Sequence, residues 1–267
     1  MTRTWLDAVL REGRVYDLGQ PLFPGMPGHP NHPPYLFTLA RRHGDLERPG
    51  GYSSANELIV LSGHTGTHLD GLGHIAEHGV LHGGRAAAEE QRGGRGLRTV
   101  GMETVPPLVA RGVLLDVAGF RGVAALPGGE PITGGELAAV AERQGVAVGP
   151  GDVVLIRTGW ICHWDDPAAY RGDTTGCPGP DASAAEWLAE RQIRATGTDT
   201  IPYEVTRPDD PAMPVHLILI ARHGIHIMEM VNLEALAQDG VREFLFIALP
   251  LKLVGATGSP IRPIAIA

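Results

Sequence analysis

Residues 64–74 read His-Thr-Gly-Thr-His-Leu-Asp-Gly-Leu-Gly-His, and this stretch constrains the fold more than any other in the 267-residue chain. Its four ionisable side chains, His64, His68, Asp70 and His74, all fall on even positions. In an extended chain alternate side chains share a face. The spacing therefore predicts a strand or strand end that aims all four groups the same way. It would continue the apolar run Asn56–Leu61 and bend at Gly71 and Gly73. A helix would bring His64 and His68 together but send Asp70 off their face, and Gly66 weakens a helix further.

Two imidazoles and a carboxylate on one face make a borderline N/O site for a divalent metal ion. Zinc is the first choice, with manganese or iron open. Three protein ligands (His64, His68 and Asp70) leave positions for water, whose pKa such an ion brings near neutral. His74, one step beyond, is placed to move a proton rather than to bind the ion. His78 and His82 lie in Glu-His-Gly-Val-Leu-His-Gly-Gly, which reads as a turn outside the chemistry. A second segment, His216 to Glu229, sets three His and one Glu in apolar surroundings. A buried carboxylate needs a partner, so His216 and Glu229 are the distal groups expected to complete or face the site. Cys162 and Cys177 have no partners at ligand spacing and read as ordinary residues.

Short apolar runs bounded by Gly predict further strands at 14–18, 113–117, 152–158, 244–249 and 261–266. Thr133 and Ser183 each precede a Glu by three residues, the capping-box spacing, and Asn232 is placed to cap a helix ending at Gly240. Strands outnumber helices, so the class is α/β or mixed α+β. With no linker or repeat visible, residues 1–267 read as one compact domain with loops rich in its 37 Gly and 22 Pro. A net charge of −8 without a basic run gives nucleic acid no footprint. The longest apolar run, Phe244–Leu251, is too short for a bilayer and contains Pro250. Asp7, Arg11 and Glu12 sit too early for a secretory leader, and two cysteines are too few for a disulfide framework; the expected location is the cytoplasm.

The same motif resembles the cyclase family of metal-dependent hydrolases, which includes kynurenine formamidases and isatin hydrolases. The family pattern is H-x-G-T-H-x-D-x-P-x-H, and this chain departs from it only at Leu72, which replaces the Pro, as in the isatin-hydrolase-like branch. Tyr16–Gly19, Pro24–Pro27, Gly151–Trp160, Gly197–Thr200 with Glu204, and Glu229 through Pro263 are similar to further family segments. The resemblance implies a swivelling β/β/α fold, assembled as homodimers or homotetramers. It makes His64, His68 and Asp70 metal ligands, with Asp70 bridging if two ions bind, and adds His216 to the metal set. His74 and Glu229 become the catalytic pair, although Glu229 could equally serve as a ligand. It implies hydrolysis of a small amide, lactam or ester, with Phe23, Tyr35, Phe37 and Trp160 as pocket walls. Two other readings are a non-haem Fe(II) oxygenase using a two-His-one-carboxylate site, and a metal-binding homologue without activity.

Overall fold

The computed structural model describes residues 9, 11–210 and 212–267; Asp7 lies outside the described residues. Strands β1 (Val15–Asp17), β2 (Leu36–Arg41), β3 (Asn56–Val60), β4 (His68–Asp70), β5 (Val80–Leu81), β6 (Arg85–Ala86), β7 (Leu108–Asp116) and β8 (Pro131–Ile132) come first. They are followed by β9 (Val153–Arg157), β10 (Gly179–Pro180), β11 (Ala195–Thr198), β12 (His226–Glu229), β13 (Glu243–Ala248), β14 (Gly258–Pro260) and β15 (Ile264–Ile266). Nine of them form one mixed sheet in the order β1-β15-β13-β7-β9-β11-β12-β4-β14. The four strands β7, β9, β11 and β12 are parallel, and antiparallel strands flank them on both sides.

The parallel centre is buried on both faces, which is why its sequence reads as unbroken apolar runs. Val113, Leu115, Val154 and Ile156 point into one hydrophobic cluster, with the helices Gly134–Gln144 and Ala182–Glu190. Leu114, Val153 and Leu155 point into another, with Phe244, Phe246 and Leu236. The longer helices in the connections from β7 to β9, β11 and β12 pack into the first cluster, while Trp160, Ile161 and Tyr170 of the β9-to-β11 connection form a third. The mixed α/β class read from the sequence is therefore the observed one. Among the described residues no helix is long and apolar enough to cross a membrane.

Local signals held unevenly. Thr133 caps its helix by accepting from Glu136 N, and Gly145 ends it in the left-handed conformation. The next helix starts earlier than expected: Asp181 is the cap, accepting from Ala184 N, and Ser183 sits in the first turn and donates to Asp181. The run Asn56–Val60 does form a strand, but it does not lead into the site as part of the main sheet. Among the described residues it pairs only with β2, as a ribbon whose Leu36, Phe37, Leu39, Leu58, Ile59 and Val60 are all exposed. Alternation fixes which residues share a face, not what covers that face.

Candidate metal centre

Strand β4 carries His68 and Asp70 on one face, while Leu69 between them is fully buried in the core. The antiparallel register of β12 sets Glu229 directly opposite His68, so a cross-strand pair delivers the second carboxylate. His64 does not lie on the strand. A turn over residues 63–66 brings it in, with Gly66 at φ +59. Its ring rests against Gly258 on β14, where a Cβ would come within 2.5 Å of the imidazole. His74 returns through the bend at Gly71, donating its backbone N–H to Gly71 O (3.0 Å). His216 enters from the other side, at the end of the short helix Pro214–His216, where the backbone continues as a π-helix over Leu217–Arg222. Such widened turns recur at functional sites.

Each of three imidazoles has one nitrogen secured by the protein and the other aimed inward. His68 Nδ1 donates to Gly66 O at 2.7 Å. His216 Nδ1 donates to the fully buried carboxylate of Glu204 at 2.5 Å, and Glu204 also accepts from the backbone N–H of His216 and Val215. His64 Nε2 shares a hydrogen bond with the Thr257 hydroxyl at 3.0 Å. The remaining nitrogens converge on the two carboxylates. His64 Nδ1 lies 2.7 Å, and His68 Nε2 3.6 Å, from one Asp70 oxygen, and His216 Nε2 lies 3.6 Å from the other. Glu229 is 3.7 Å from His68 Nε2 and 3.4 Å from His216 Nε2. Its Oε1 also accepts from Tyr203 N.

These separations fit a divalent ion. Ligand atoms at roughly 2.1 Å from a tetrahedral centre stand about 3.4 Å from one another, and most of the inward contacts are close to that value rather than to a hydrogen bond. Both Asp70 carboxylate oxygens and His64 Nδ1 are buried without an aligned hydrogen bond. Orphaned groups of this kind are expensive unless an ion takes them. Two overlapping groups of ligand atoms, His64–Asp70–His74 and His68–Asp70–Glu229, share Asp70, and each could hold a divalent ion.

The electrostatics follow. Burial opposes ionisation of Asp70, but His74, His216, His64 and His68 hold its pKa well below the usual carboxylate range. Burial likewise opposes the charge on Glu229, and His216 and His68 outweigh it. His216 is disfavoured as a cation by burial, yet Asp70, Glu204 and Glu229 raise it well above an ordinary histidine. His74 differs: burial pushes it down to about 4, with Asp70 only partly opposing. Its ring lies 4.1 Å from that of His64, and it is neutral at neutral pH.

The site thus unites His64, His68, Asp70, His74, His216 and Glu229. It does not unite the predicted aromatic walls. Trp160 is buried in a separate cluster and donates its indole N–H to Tyr170 O at 2.8 Å. Phe23 is exposed, edge-on to Trp164, and Phe37 sits on the exposed ribbon. Of the four, only Tyr35 lines the cavity of about 300 Å³ that reaches His64. His82 is engaged with Ala221 O, and His78 sits in an exposed turn at φ +50. The cysteines are free, with Cys177 buried. Sequence reasoning missed Thr257, which carries no local signal. It also missed His29 and His32 beside His64, although their His-Pro-Asn-His spacing was visible.

Residues 16–205 match the family model for Cyclase. Isatin hydrolase of Roseibium aggregatum is 32% identical over 130 residues, covering 47% of this chain and 48% of that protein. Kynurenine formamidase of Bacillus cereus is 43% identical over 83 residues, covering 31% and 37%. The chain thus spans about half the length, or less, of these curated relatives. Among solved structures, a novel cyclase superposes with a TM-score of 0.88 at 28% identity over 99% of this chain and 90% of that one. Isatin hydrolase A from Ralstonia solanacearum superposes at 0.74 and 26%, covering 99% and 96%.

Proposed function

This chain belongs to the cyclase family, and from that premise we propose that it is a metal-dependent hydrolase of a small amide, lactam or ester, with an aromatic or cyclic substrate of the isatin or N-formylarylamine kind. One observation carries the reading: three imidazoles with one nitrogen pinned each, and the carboxylates of Asp70 and Glu229, converge beside a cavity open to a small molecule.

His64, His68, Asp70, His216 and Glu229 would hold the metal, zinc or manganese, as one ion or two. A bound divalent ion supplies an acidified water and polarises a carbonyl. Glu204 and Gly66 O accept only, so they fix the tautomers of His216 and His68, and the Thr257 hydroxyl holds the orientation of His64. His74 is neutral and touches the His64 ring, so it accepts a proton as the nucleophile forms and returns it to the leaving nitrogen or oxygen. The cluster favours hydrolysis over the oxygenase reading, because a two-His-one-carboxylate triad leaves His64, His74 and Glu229 without a role.

We also propose a homodimer or homotetramer in the cytoplasm. The apolar ribbon of β2 and β3, and a cleft of about 750 Å³ walled by Leu22, Ile247, Leu249 and Ile261, support mutual cover between copies. Purified protein supplied with isatin, N-formylkynurenine and a dienelactone is expected to hydrolyse at least one of them. Oxygen consumption with no hydrolysis would favour the oxygenase instead.

A further inference from the structure

The cavity that reaches the metal cluster at His64 is lined largely by residues that the hydrolytic mechanism above does not use. His29, His32, Tyr35 and Arg171 line it together with His64 and Thr65. The rings form a file: His29 lies 5.1 Å from His32, and His32 lies 5.1 Å from His64.

What this wall offers is hydrogen-bond donors. His29 Nδ1 accepts from Asn31 N at 3.3 Å, which places its proton on Nε2. His32 Nδ1 is buried with no hydrogen-bond partner among the described residues. Arg171 is oriented by Asp173, which takes its Nε (3.0 Å) and one terminal nitrogen (2.6 Å). Its other terminal nitrogen has no hydrogen bond within the described chain. An imidazole carries at least one N–H in either protonation state, so each ring has a donor to give. Donors without acceptors select for an acceptor group, and a guanidinium held in plane by a carboxylate is suited to oxygen pairs. Pro33 and Pro34 flank the same cavity with flat apolar surface.

We propose that His29, His32 and Arg171 form a recognition subsite for a carboxylate carried by the substrate on the side away from the scissile carbonyl. The favoured class is then an aryl amide or formamide bearing a second, anionic oxygen pair. This deepens the hydrolytic reading and rests on the same cavity. Asp173 offsets the charge of Arg171, so selectivity comes from directed hydrogen bonds more than from net charge.

The test uses purified metal-loaded protein and calorimetric titration with 4-formamidobenzoate and with formanilide, which differ by the carboxylate at the far end of the ring. Wild type is expected to bind the carboxylate compound about tenfold tighter, the worth of one hydrogen bond to a charged group at the low end of its range. His29→Gln and Arg171→Gln, which leave the proposed ligands untouched, are expected to reduce that preference severalfold at unchanged metal content, and His32→Gln to do the same. A preference that persists in all three variants would place the carboxylate elsewhere, on the ion itself, and overturn the subsite. So would an absence of preference in wild type. If the preference disappears in the variants but neither compound is turned over, the subsite stands and the hydrolytic reading falls. Turnover with the preference unmoved has the opposite meaning.

Discussion

Glu204 tests the site through a residue that touches no substrate. Its carboxylate accepts from Val215 N (2.9 Å), His216 N (3.0 Å) and His216 Nδ1 (2.5 Å). Replacement by Gln keeps the shape but offers one acceptor oxygen instead of two. With the amide oxygen toward His216, the amide NH2 meets the Val215 N–H, two donors face to face, and one buried N–H loses its partner. That costs about 1–3 kcal/mol of fold stability. The contact to His216 survives but is no longer charge-assisted, so the ring is less basic and less firmly aimed. Loss of such a supporting contact lowers metal affinity roughly 10–100-fold. The assay is competition with a chelator of known affinity on stripped protein, alongside thermal melts of the metal-free form. A Glu204→Gln protein that folds and binds metal within about twofold of wild type would refute the assignment of His216 to the metal set.

Other perturbations separate the parts of the account. The acid limb of the pH–rate profile is expected near pH 4 rather than near 6.5. Burial disfavours the His74 imidazolium, so its proton-accepting form persists as pH falls until the lowered value is reached, and a bound dication pushes the same way. An acid limb at 6.5 or above that disappears in His74→Asn would contradict this. Gly258→Ala sets a methyl 2.5 Å from the His64 ring, so the ring must shift. Metal content is expected to drop and stability to fall by about 1–3 kcal/mol, read by elemental analysis and melting. Arg157 is mostly buried and bridges Asp116 (2.9 Å) and Glu234 (2.7 Å), neither of which is among the metal groups. Arg157→Met removes the nearer of the two guanidinium groups on Asp116, leaving Arg242 at 3.7 Å, and is expected to cost about 1–3 kcal/mol while leaving metal stoichiometry unchanged, as urea unfolding and elemental analysis would show.

The period-two rule placed His68 and Asp70 correctly because β4 is a true strand with Leu69 inward. It was wrong about how His64 arrives, since only the close approach of Gly258, nearly two hundred positions away, gives that ring room. Glu229 was legible as a buried carboxylate needing partners. Its pairing with His68 depends on register across two distant strands, which no local pattern encodes. Asn56–Val60 read correctly as a strand, yet nothing local shows that it pairs away from the main sheet. Trp160 was read as a pocket wall from the aromatic substrates that the family resemblance implies; it is buried, and its indole N–H ties to Tyr170 O.

The claim at the centre is that the inward atoms of His64, His68, Asp70, His216 and Glu229 enclose a divalent ion on which hydrolysis depends. Metal content measured on protein as purified, after chelator stripping and after reloading, with isatin and N-formylkynurenine turnover followed on the same three samples, tests it most directly. At least one ion per chain, activity lost on stripping and regained on reloading is the outcome expected. Undiminished turnover in the stripped, still folded protein would contradict it.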